Sequence, residues 1–244
     1  MLLKKIVFAG PTLSGEPKLK GIEYRPPAKC GDVARAVVEG YDVIAIVDGF
    51  FETTRSVWHK EILWALSLGR VVAGASSIGA LRAAEMHPFG MIGVGKIFKL
   101  FASGELTDDD EVAVEHAPAE LDYLPITDPM VNIRFTLEKA VQCGVLDASV
   151  ALSLTGLAKS RFFKERSFDR MISDGIASDI SIQKINKFKA WLPSHAVDIK
   201  RADAKQLLRL LIKTQLRPAK SVSFIGSRYW TWLAAEMHLD RKRY

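Results

Sequence analysis

The stretch VVAGASSIGALRAAE, residues 71–85, decides the fold, because an apolar run passes through small residues directly into an alanine-rich run. A short apolar run bounded by turn residues is typical of a buried strand, and the alanine-rich run favours a helix. We therefore predict a strand over residues 70–75 and a helix over residues 78–86. The small residues between them serve either close packing of the backbone or the presentation of a serine hydroxyl to a substrate.

Two similar strand–helix units precede this stretch. Residues 5–9 and 41–47 are apolar runs that predict strands, whereas residues 32–39 and 56–68 carry apolar side chains at helical spacing. Strands that alternate with helices indicate a parallel sheet joined by right-handed crossovers. The sequence therefore predicts an α/β protein with a parallel-sheet, Rossmann-like core followed by a mainly helical, basic C-terminal region.

The regular alternation fades in the middle of the chain. Residues 111–116 alternate between polar and apolar side chains, which predicts a half-exposed strand. Asp128 and Pro129 predict the start of a helix, with Asp as its N-cap and Pro at its first position, and Gly144 predicts its end.

The remainder of the chain, from residue 147 onward, has mainly helical patterns. Breaks are expected near Gly175, Pro193, Pro218 and Gly226. The chain is thus predicted to form two domains, an α/β core over residues 1–145 and a basic helical region over residues 146–244. The second region is expected to be a docking surface for a partner.

The composition indicates a globular protein of a reducing compartment. Of its 244 residues, 48% are hydrophobic and 25% are charged, and the two cysteines, Cys30 and Cys143, occur in unrelated contexts. That pattern excludes a disulfide framework and a thiolate zinc cluster. The first apolar run stops at Gly10, and no run approaches the roughly 18–20 apolar residues of a spanning helix. We expect a cytoplasmic protein without a membrane segment.

Charge is distributed unevenly along the chain. From Ala158 onward Lys and Arg outnumber Asp and Glu by 19 to 8, whereas before it the acidic residues lead by 20 to 15. Such asymmetry marks an interaction surface for an acidic partner, either nucleic acid or protein, or else the solvated faces of basic helices. Nucleic acid is not the expected partner.

The turns that follow the predicted strands are the candidate binding site. In open α/β sheets, ligands bind outside the carboxyl ends of the strands. This rule brings together three turns, and the first turn of the helix over residues 56–68 is expected to join them. The candidate substrate-binding residues are Gly10, Pro11, Thr12, Asp48, Gly49, His59, Gly74, Ser76, Ile78 and Arg82.

The turn after the third strand has the form of a nucleophile elbow. Residues 75–79, ASSIG, match the pattern G-x-S-x-G with alanine in place of the first glycine. A serine there lies at a helix N-terminus, where free N–H groups and the positive end of the dipole stabilise an oxyanion. Turns of this composition also serve packing or phosphate binding, so the pattern leaves those alternatives open.

A serine nucleophile requires a base, and the chain offers two. His59 is one, since histidine is the commonest base, although a lone histidine is more often structural. Lys60 is the other, because a lysine at a helix start lies beside the positive dipole end, which disfavours its charged form. Such a lysine can accept a serine proton. The alternative is a surface lysine on an amphipathic helix.

Three further motifs have weaker functional interpretations. Residues 108–111, DDDE, form either a Mg²⁺ site or a solvated loop. Residues 93–96, GVGK, resemble part of a phosphate loop but lack its spacing and its final Ser or Thr. Trp230 and Trp232 have a stacking platform as one interpretation, but the expected use is either a helix that docks on the core or a surface that faces a partner. No metal or cofactor is predicted.

Several of these motifs together resemble the TfuA family. They are VFAGPTL at 7–13, RPPAKCGD at 25–32, VWHKEILWAL at 57–66, GASSIGALRAAE at 74–85, GVGKIF at 93–98 and DDDEVAVEHAPAE at 108–120. The resemblance covers roughly residues 5–135 in order, and the combination is specific. The basic C-terminal region contains no recognised motif.

The resemblance implies a function in peptide-backbone thioamidation. TfuA proteins are partners of YcaO enzymes, and the family is understood to hydrolyse a thiocarboxylated, ThiS-like sulfur carrier with a Ser–Lys pair, which releases sulfide. In this chain the pair would be Ser77 and Lys60, with Ser76 as the alternative serine. The implied partners are a YcaO enzyme, the carrier and, through YcaO, the substrate peptide.

Two details of this reading remain open at the level of sequence. The oxyanion donors are backbone N–H groups either at Ile78 or in the turn at residues 11–12. The small residues Gly10, Gly49 and Gly74 are expected to leave a narrow groove for the flexible tail of the carrier. The competing hypothesis is a non-catalytic adaptor that docks YcaO and its peptide through the basic region.

Overall fold

The computed structural model describes residues 3–52, 54–178, 180–213, 216–217 and 222–236, and its centre is one parallel sheet. Five strands pair in the order β2-β1-β3-β4-β5, all in parallel. They are β1 (Lys5–Phe8), β2 (Glu23–Arg25), β3 (Val43–Ile46), β4 (Val71–Ala75) and β5 (Ile92–Val94). The prediction of a parallel α/β core is confirmed.

Helices alternate with these strands and then follow one another to the end of the described chain. The first four are α1 (Asp32–Val38), α2 (His59–Ser67), α3 (Ile78–Met86) and α4 (Lys96–Ser103). The later six are α5 (Met130–Gln142), α6 (Ala148–Ser160), α7 (Phe168–Ala177), α8 (Ile182–His195), α9 (Ile199–Lys213) and α10 (Arg228–Glu236). The C-terminal region is therefore mainly helical, as predicted.

One face of the sheet packs against the crossover helices. The strands β3, β4 and β5 are added successively on the same side of β1, so right-handed crossovers place their helices on one face. Ile6, Ile44 and Ile46 point to that face and pack with α1 and α2, where Val33 and Ile62 are fully buried. This face forms the larger part of the core.

The opposite face is covered by a helix from the C-terminal region. Val7, Val43 and Ala45 pack there with Leu207 and Leu211 of α9. Helices α1, α2 and α3 pack on the other face, so most of this apolar face is covered by a helix supplied by a distant part of the chain. The basic C-terminal region thus completes the sheet domain.

The chain divides into two compact units that differ from the predicted division at residue 145. The first comprises residues 1–107 and 201–244, and the second comprises residues 108–200. The first unit includes α10 and most of α9 because their apolar faces belong to the core around the sheet. The second unit is built from α5 to α8, around Ile133, Leu154 and Phe188.

Several predicted details are corrected by the structure. Residues 111–116 form no strand, and their pairing is limited to an isolated bridge between His116 and Pro125. Helix α5 begins at Met130 with Pro129 as its N-cap, and the carboxylate of Asp128 instead accepts the N–H of Phe168. Sequence alternation alone does not supply the neighbouring strand that a ladder requires.

The predicted helix breaks agree with the helix ends among the described residues. Helix α7 ends at Ala177, two residues after Gly175, and α8 ends at His195, two residues after Pro193. A Cβ at Gly175 would lie 2.7 Å from the side chain of Ile185, so close packing explains this glycine. Gly144 follows α5 with a φ of 65°, as predicted for its end, and Gly226 precedes α10. Pro218 lies outside the described residues.

Helix α4 is capped by a carboxylate from α9. Asp203 accepts the backbone N–H groups of Lys96 at 2.9 Å and of Ile97 at 2.8 Å. Gly95 has a φ of 97°, and a Cβ there would lie 2.1 Å from Cγ of Asp203. Gly95 of the GVGK segment therefore allows a side chain of this chain, rather than a phosphate, to occupy the helix start. In the part of the chain that the structure describes, no helix is both long and apolar enough to cross a membrane.

Glu61 is a buried carboxyl that joins the starts of two helices. It accepts backbone N–H groups from Gly31, Val33, Ala34 and Trp58 at 2.8–3.3 Å, and its side chain is fully buried. Burial raises the pKa of Glu61 to about 7, although the N–H bonds act to lower it. Its protonation state therefore differs between the folded and unfolded chain across the range from about 4.5 to about 7.

This difference predicts a pH-dependent effect of Glu61→Gln. Below about pH 4.5 Glu61 is protonated in both states, and between about 4.5 and 7 only the unfolded state loses its proton. The stability that the wild type has relative to Glu61→Gln should therefore fall by about 3 kcal/mol as the pH rises through that window. Urea unfolding of both proteins at several pH values measures it. A difference that stays constant or grows with pH would contradict the assignment.

Candidate functional site

The carboxyl ends of β1, β3 and β4 bring the predicted turns together at one edge of the sheet. The chain leaves β1 toward β2 on one side, and after β2 it returns to β3 on the other, so the strand order reverses between β1 and β3. Ligands of open α/β sheets bind at such a reversal. The turn Pro11–Leu13, Asp48 and Ser76 lie directly after these three strands.

Asp48 ties the first two turns together. Its Oδ2 accepts the backbone N–H of Gly10 at 2.9 Å and that of Thr12 at 3.0 Å, and its Oδ1 accepts the Thr12 hydroxyl at 2.6 Å. Asp48 is 1% exposed and Thr12 is 5% exposed. Three donors on one buried carboxylate offset its desolvation and fix both turns relative to each other.

Ser76 joins this network from the third turn. Its Oγ lies 3.3 Å from Oγ1 of Thr12, and its side chain is fully buried. Ser76 has a φ of 69°, a left-handed conformation that is uncommon outside glycine and that costs of order 1–3 kcal/mol. Serines at the strand-to-helix turn of a nucleophile elbow are held in a similarly strained, sharp turn.

The small residues around the serines allow β3, β4 and α3 to approach closely. A Cβ at Gly74 would lie 2.1 Å from the carbonyl oxygen of Gly79, and a Cβ at Gly79 would lie 1.9 Å from that of Ile46. The N–H of Gly79 donates to the carbonyl of Val47 at 3.2 Å. Close backbone packing is therefore one function of the small residues in VVAGASSIGALRAAE.

The same close packing fills the space beside Gly49 and Gly74, where a groove for the tail of the carrier was expected. A Cβ at Gly49 would lie 2.6 Å from Cγ2 of Ile78, so the space beside Gly49 is filled by that side chain. The space beside Gly74 is filled by the backbone of Gly79. Ile78 itself is 5% exposed as the first residue of α3.

Ser77 occupies the N-cap of α3. Its carbonyl accepts the N–H groups of Ala80 and Leu81, and its own N–H donates to the carbonyl of Ala75. The Ser77 side chain is 2% exposed. The elbow therefore presents two buried serines: Ser76 bonded to the turn after β1, and Ser77 at the helix start.

Lys60 lies in the first turn of α2, next to a pocket formed with the start of α10. Its Nζ donates to the carbonyl of Ile225 at 2.9 Å and lies 5.8 Å from the ring centre of Phe224. The pocket has a volume of about 300 Å³ and is lined by Trp58, His59, Lys60, Ser227 and Tyr229. The pairing of Lys60 with Ser77 stays a prediction.

His59 and Arg82 contact the same carboxylate. Nε2 of His59 lies 2.9 Å from Oε2 of Glu85, and Arg82 contacts Glu85 at 2.6 Å while donating to the carbonyl of Val57 at 2.7 Å. Partial burial acts to raise the pKa of Glu85, but the contacts with His59 and Arg82 lower it. These two predicted site residues thus join the start of α2, and the segment before it, to the side of α3.

The structure therefore divides the predicted site residues by their contacts. Gly10, Thr12, Asp48 and Ser76 are brought together by hydrogen bonds, whereas the contacts of Lys60 run to the segment before α10. Sequence reasoning missed the pocket residues Ser227 and Tyr229. No spacing signal could have found them, because they follow Lys60 by more than 160 residues.

The acidic segment after residue 107 is an ion-pair network. Oxygens of Asp108, Asp110 and Glu111 lie within 4.8 Å of one another, and Lys159 contacts all three carboxylates. Arg166, which is 1% exposed, bonds Asp110 at 2.6 Å, and Arg134 bonds Glu111 at 2.8 and 2.9 Å. Burial acts to raise the pKa of Asp110, but Lys159 and Arg166 lower it. Three cations balance the three carboxylates, so the network joins these segments of the second unit.

The two C-terminal tryptophans have different environments. Trp230 is fully buried, with its ring centre 5.1 Å from those of Trp64 and Phe224. Trp232 is 44% exposed and lies under the guanidinium of Arg55 at 4.5 Å. The expectation that these residues dock a helix on the core is confirmed by Trp230.

Comparison with known proteins adds one match. Residues 48–167 match the model of a family described as TfuA-like protein. No curated protein matches the chain. The matched region begins at Asp48 and contains Lys60, Ser76 and Ser77, together with the acidic segment of the second unit.

The tight approach of α3 predicts that Gly79→Ala is strongly destabilising. The new methyl group would overlap the carbonyl of Ile46, so α3 would have to move away from β3, at a cost of about 3 kcal/mol or more. Gly156→Ala in α6 is the matched control, because a Cβ there meets nothing within 4 Å and should stabilise the helix by about 0.5–1 kcal/mol. Denaturant unfolding compares the two. Similar midpoints for both variants would contradict this packing.

Proposed function

Because residues 48–167 make this chain a member of the TfuA-like family, we propose that it hydrolyses a thiocarboxylated, ThiS-like sulfur carrier for a YcaO enzyme. Family membership assigns it an accessory role in peptide-backbone thioamidation. In the proposed reaction the released sulfide supplies the sulfur that replaces the amide oxygen. The carrier, the YcaO enzyme and, through that enzyme, the substrate peptide are the proposed partners.

The proposed chemistry is acyl transfer through serine. Oγ of Ser77 attacks the thiocarboxylate carbon, Lys60 accepts the hydroxyl proton, and the C–S bond breaks. Lys60 returns the proton to the sulfur, which leaves as hydrosulfide. Water, activated by the same amine, then attacks the acyl-serine and restores both the serine and a carboxylate on the carrier.

The observation that carries the proposal is the elbow after β4. Ser77 lies at the start of α3, directly after the left-handed Ser76, where the N–H groups of a helix start can stabilise an oxyanion. The N–H of Ile78 is the proposed oxyanion donor. Lys60 lies in the first turn of the neighbouring helix α2, which supports its proposed role as the base.

Ser77→Ala and Lys60→Ala should each lower carrier hydrolysis by about 100-fold or more, because each removes a participant in the chemical step. The carrier, prepared as a thiocarboxylate, is incubated with each protein, and intact mass spectrometry follows the exchange of sulfur for oxygen. Ser103→Ala and Lys99→Ala, both on α4, are matched controls that should retain the wild-type rate. Hydrolysis by both site variants at the wild-type rate would disprove the assigned pair.

A second candidate function is a non-catalytic adaptor for YcaO and its peptide. It is favoured because the ammonium of Lys60 donates to the carbonyl of Ile225 at 2.9 Å, and a lysine held in this contact serves structure rather than catalysis. The proposed docking surface is the basic helical region, whose helix α8 carries the exposed Lys184, Lys187 and Lys189.

The adaptor is distinguished from the hydrolase by reconstituted thioamidation with a YcaO enzyme and free sulfide. Charge reversal of the three lysines to glutamate should then abolish the stimulation of thioamidation, while Ser77→Ala has no effect, if the chain acts by docking. Free sulfide would bypass a protein that acts only by releasing sulfide, so a wild type that gives no stimulation under these conditions would exclude the adaptor.

A further inference from the structure

The buried side chains of Thr12, Asp48 and Ser76 form a hydrogen-bonded network that joins the turns after β1, β3 and β4. We propose that Asp48 and Thr12 are positioning residues that hold the serine elbow in its reactive form, acting through Ser76 on Ser77. The proposal rests on the proposed serine hydrolase function and adds to it two residues from the turns on neighbouring strands. Neither residue belongs to the elbow segment itself.

The directions of the hydrogen bonds follow from the donors available. The Thr12 hydroxyl donates to Oδ1 of Asp48 at 2.6 Å, while the two backbone N–H groups of Gly10 and Thr12 donate to Oδ2. With its single proton committed to Asp48, Thr12 offers a lone pair to Ser76, 3.3 Å away. The Ser76 hydroxyl therefore donates to Thr12, and its orientation is set by Asp48 through Thr12.

This hydrogen-bonded network holds Ser76, whose backbone conformation shapes the elbow. Ser76 has a φ of 69°, a conformation that persists only where the surroundings hold it. The Ser76 hydrogen bond fixes that residue to the turn after β1, and Ser77 follows it as the N-cap of α3. If Ser76 relaxed toward an ordinary φ, the Ser77 hydroxyl and the N–H groups of the helix start would change their relative positions.

The polar side chains of this hydrogen-bonded network also favour a functional use over packing alone. Thr12, Asp48 and Ser76 are each at most 5% exposed, and apolar side chains of the same size would avoid the cost of burying three polar groups. Thr12 and Asp48 follow β1 and β3, between which the strand order reverses, and this is the position of ligand sites in open α/β sheets. A polar tie at this position keeps the elbow oriented toward the site.

Thr12→Val tests the tie, because valine keeps the shape of threonine but removes both hydroxyl contacts. We expect kcat for carrier hydrolysis to fall by about 100-fold with KM unchanged, since the misplacement affects the reacting atoms rather than carrier binding. Thr12→Ser retains the hydroxyl and should restore kcat to within a few fold of wild type. Asp48→Asn should resemble Thr12→Val.

Thr136→Val is the matched control for a purely structural loss. Thr136 is also fully buried, and its hydroxyl donates to the carbonyl of Asn132 at 2.7 Å and accepts the N–H of Val197 at 2.9 Å. Its replacement should lower the unfolding midpoint but leave kcat unchanged in the folded protein. If Thr12→Val also changes only the unfolding midpoint, the positioning role is disproved.

A probe that does not depend on the carrier separates this inference from the proposed function. An alkyl fluorophosphonate phosphonylates a reactive serine with loss of fluoride, and peptide mass spectrometry distinguishes Ser77 from Ser76. The labelling rate of Ser77 should fall about 100-fold in Thr12→Val and recover in Thr12→Ser. If this pattern is found without carrier hydrolysis, the substrate assignment fails and the positioning role stands. Labelling that is independent of Thr12, or a wild type that neither labels nor hydrolyses, would overturn the positioning role.

Discussion

The contact between the start of α3 and the ends of β3 and β4 is the constraint on which the other features of this protein depend. Gly74 and Gly79 lack the atoms that would otherwise lie about 2 Å from a carbonyl oxygen, so helix and strands approach backbone to backbone. Because the helix starts so close to the sheet, the turn between them is sharp and Ser76 takes a left-handed conformation. The two serines are buried at the edge of the sheet as a direct result.

Buried carboxylates fix the starts of the surrounding helices. Asp48 accepts N–H groups at the short 3-10 helix after β1, Glu61 does so at α1, and Asp203 does so at α4. Each carboxylate comes from a different part of the chain than the helix that it caps. A buried carboxylate without donors would be costly, so each of these contacts specifies one arrangement of two distant segments. These contacts therefore fix the positions of the helix starts around a sheet whose strands are short.

The C-terminal segments complete the domain that contains the site. Helix α9 covers the second face of the sheet, while α10 buries Trp230 against Trp64 of α2. The start of α10 also forms the pocket beside Lys60, whose ammonium bonds the carbonyl of Ile225. The surroundings of the proposed base are therefore set by residues outside the region that matches the family.

Sequence by itself determined the local elements around residues 71–86, including the helix Ile78–Met86, because apolar spacing and small residues act over a few positions. It also indicated that Thr12, Asp48 and Ser76 lie at one edge, since the carboxyl ends of parallel strands share an edge. Only the tertiary structure decided their hydrogen bonds, the partner of Lys60 and the return of α9 to the sheet. Those depend on packing between segments 36 or more residues apart, where burial of an apolar face or a carboxylate selects the partner and local pattern carries no information.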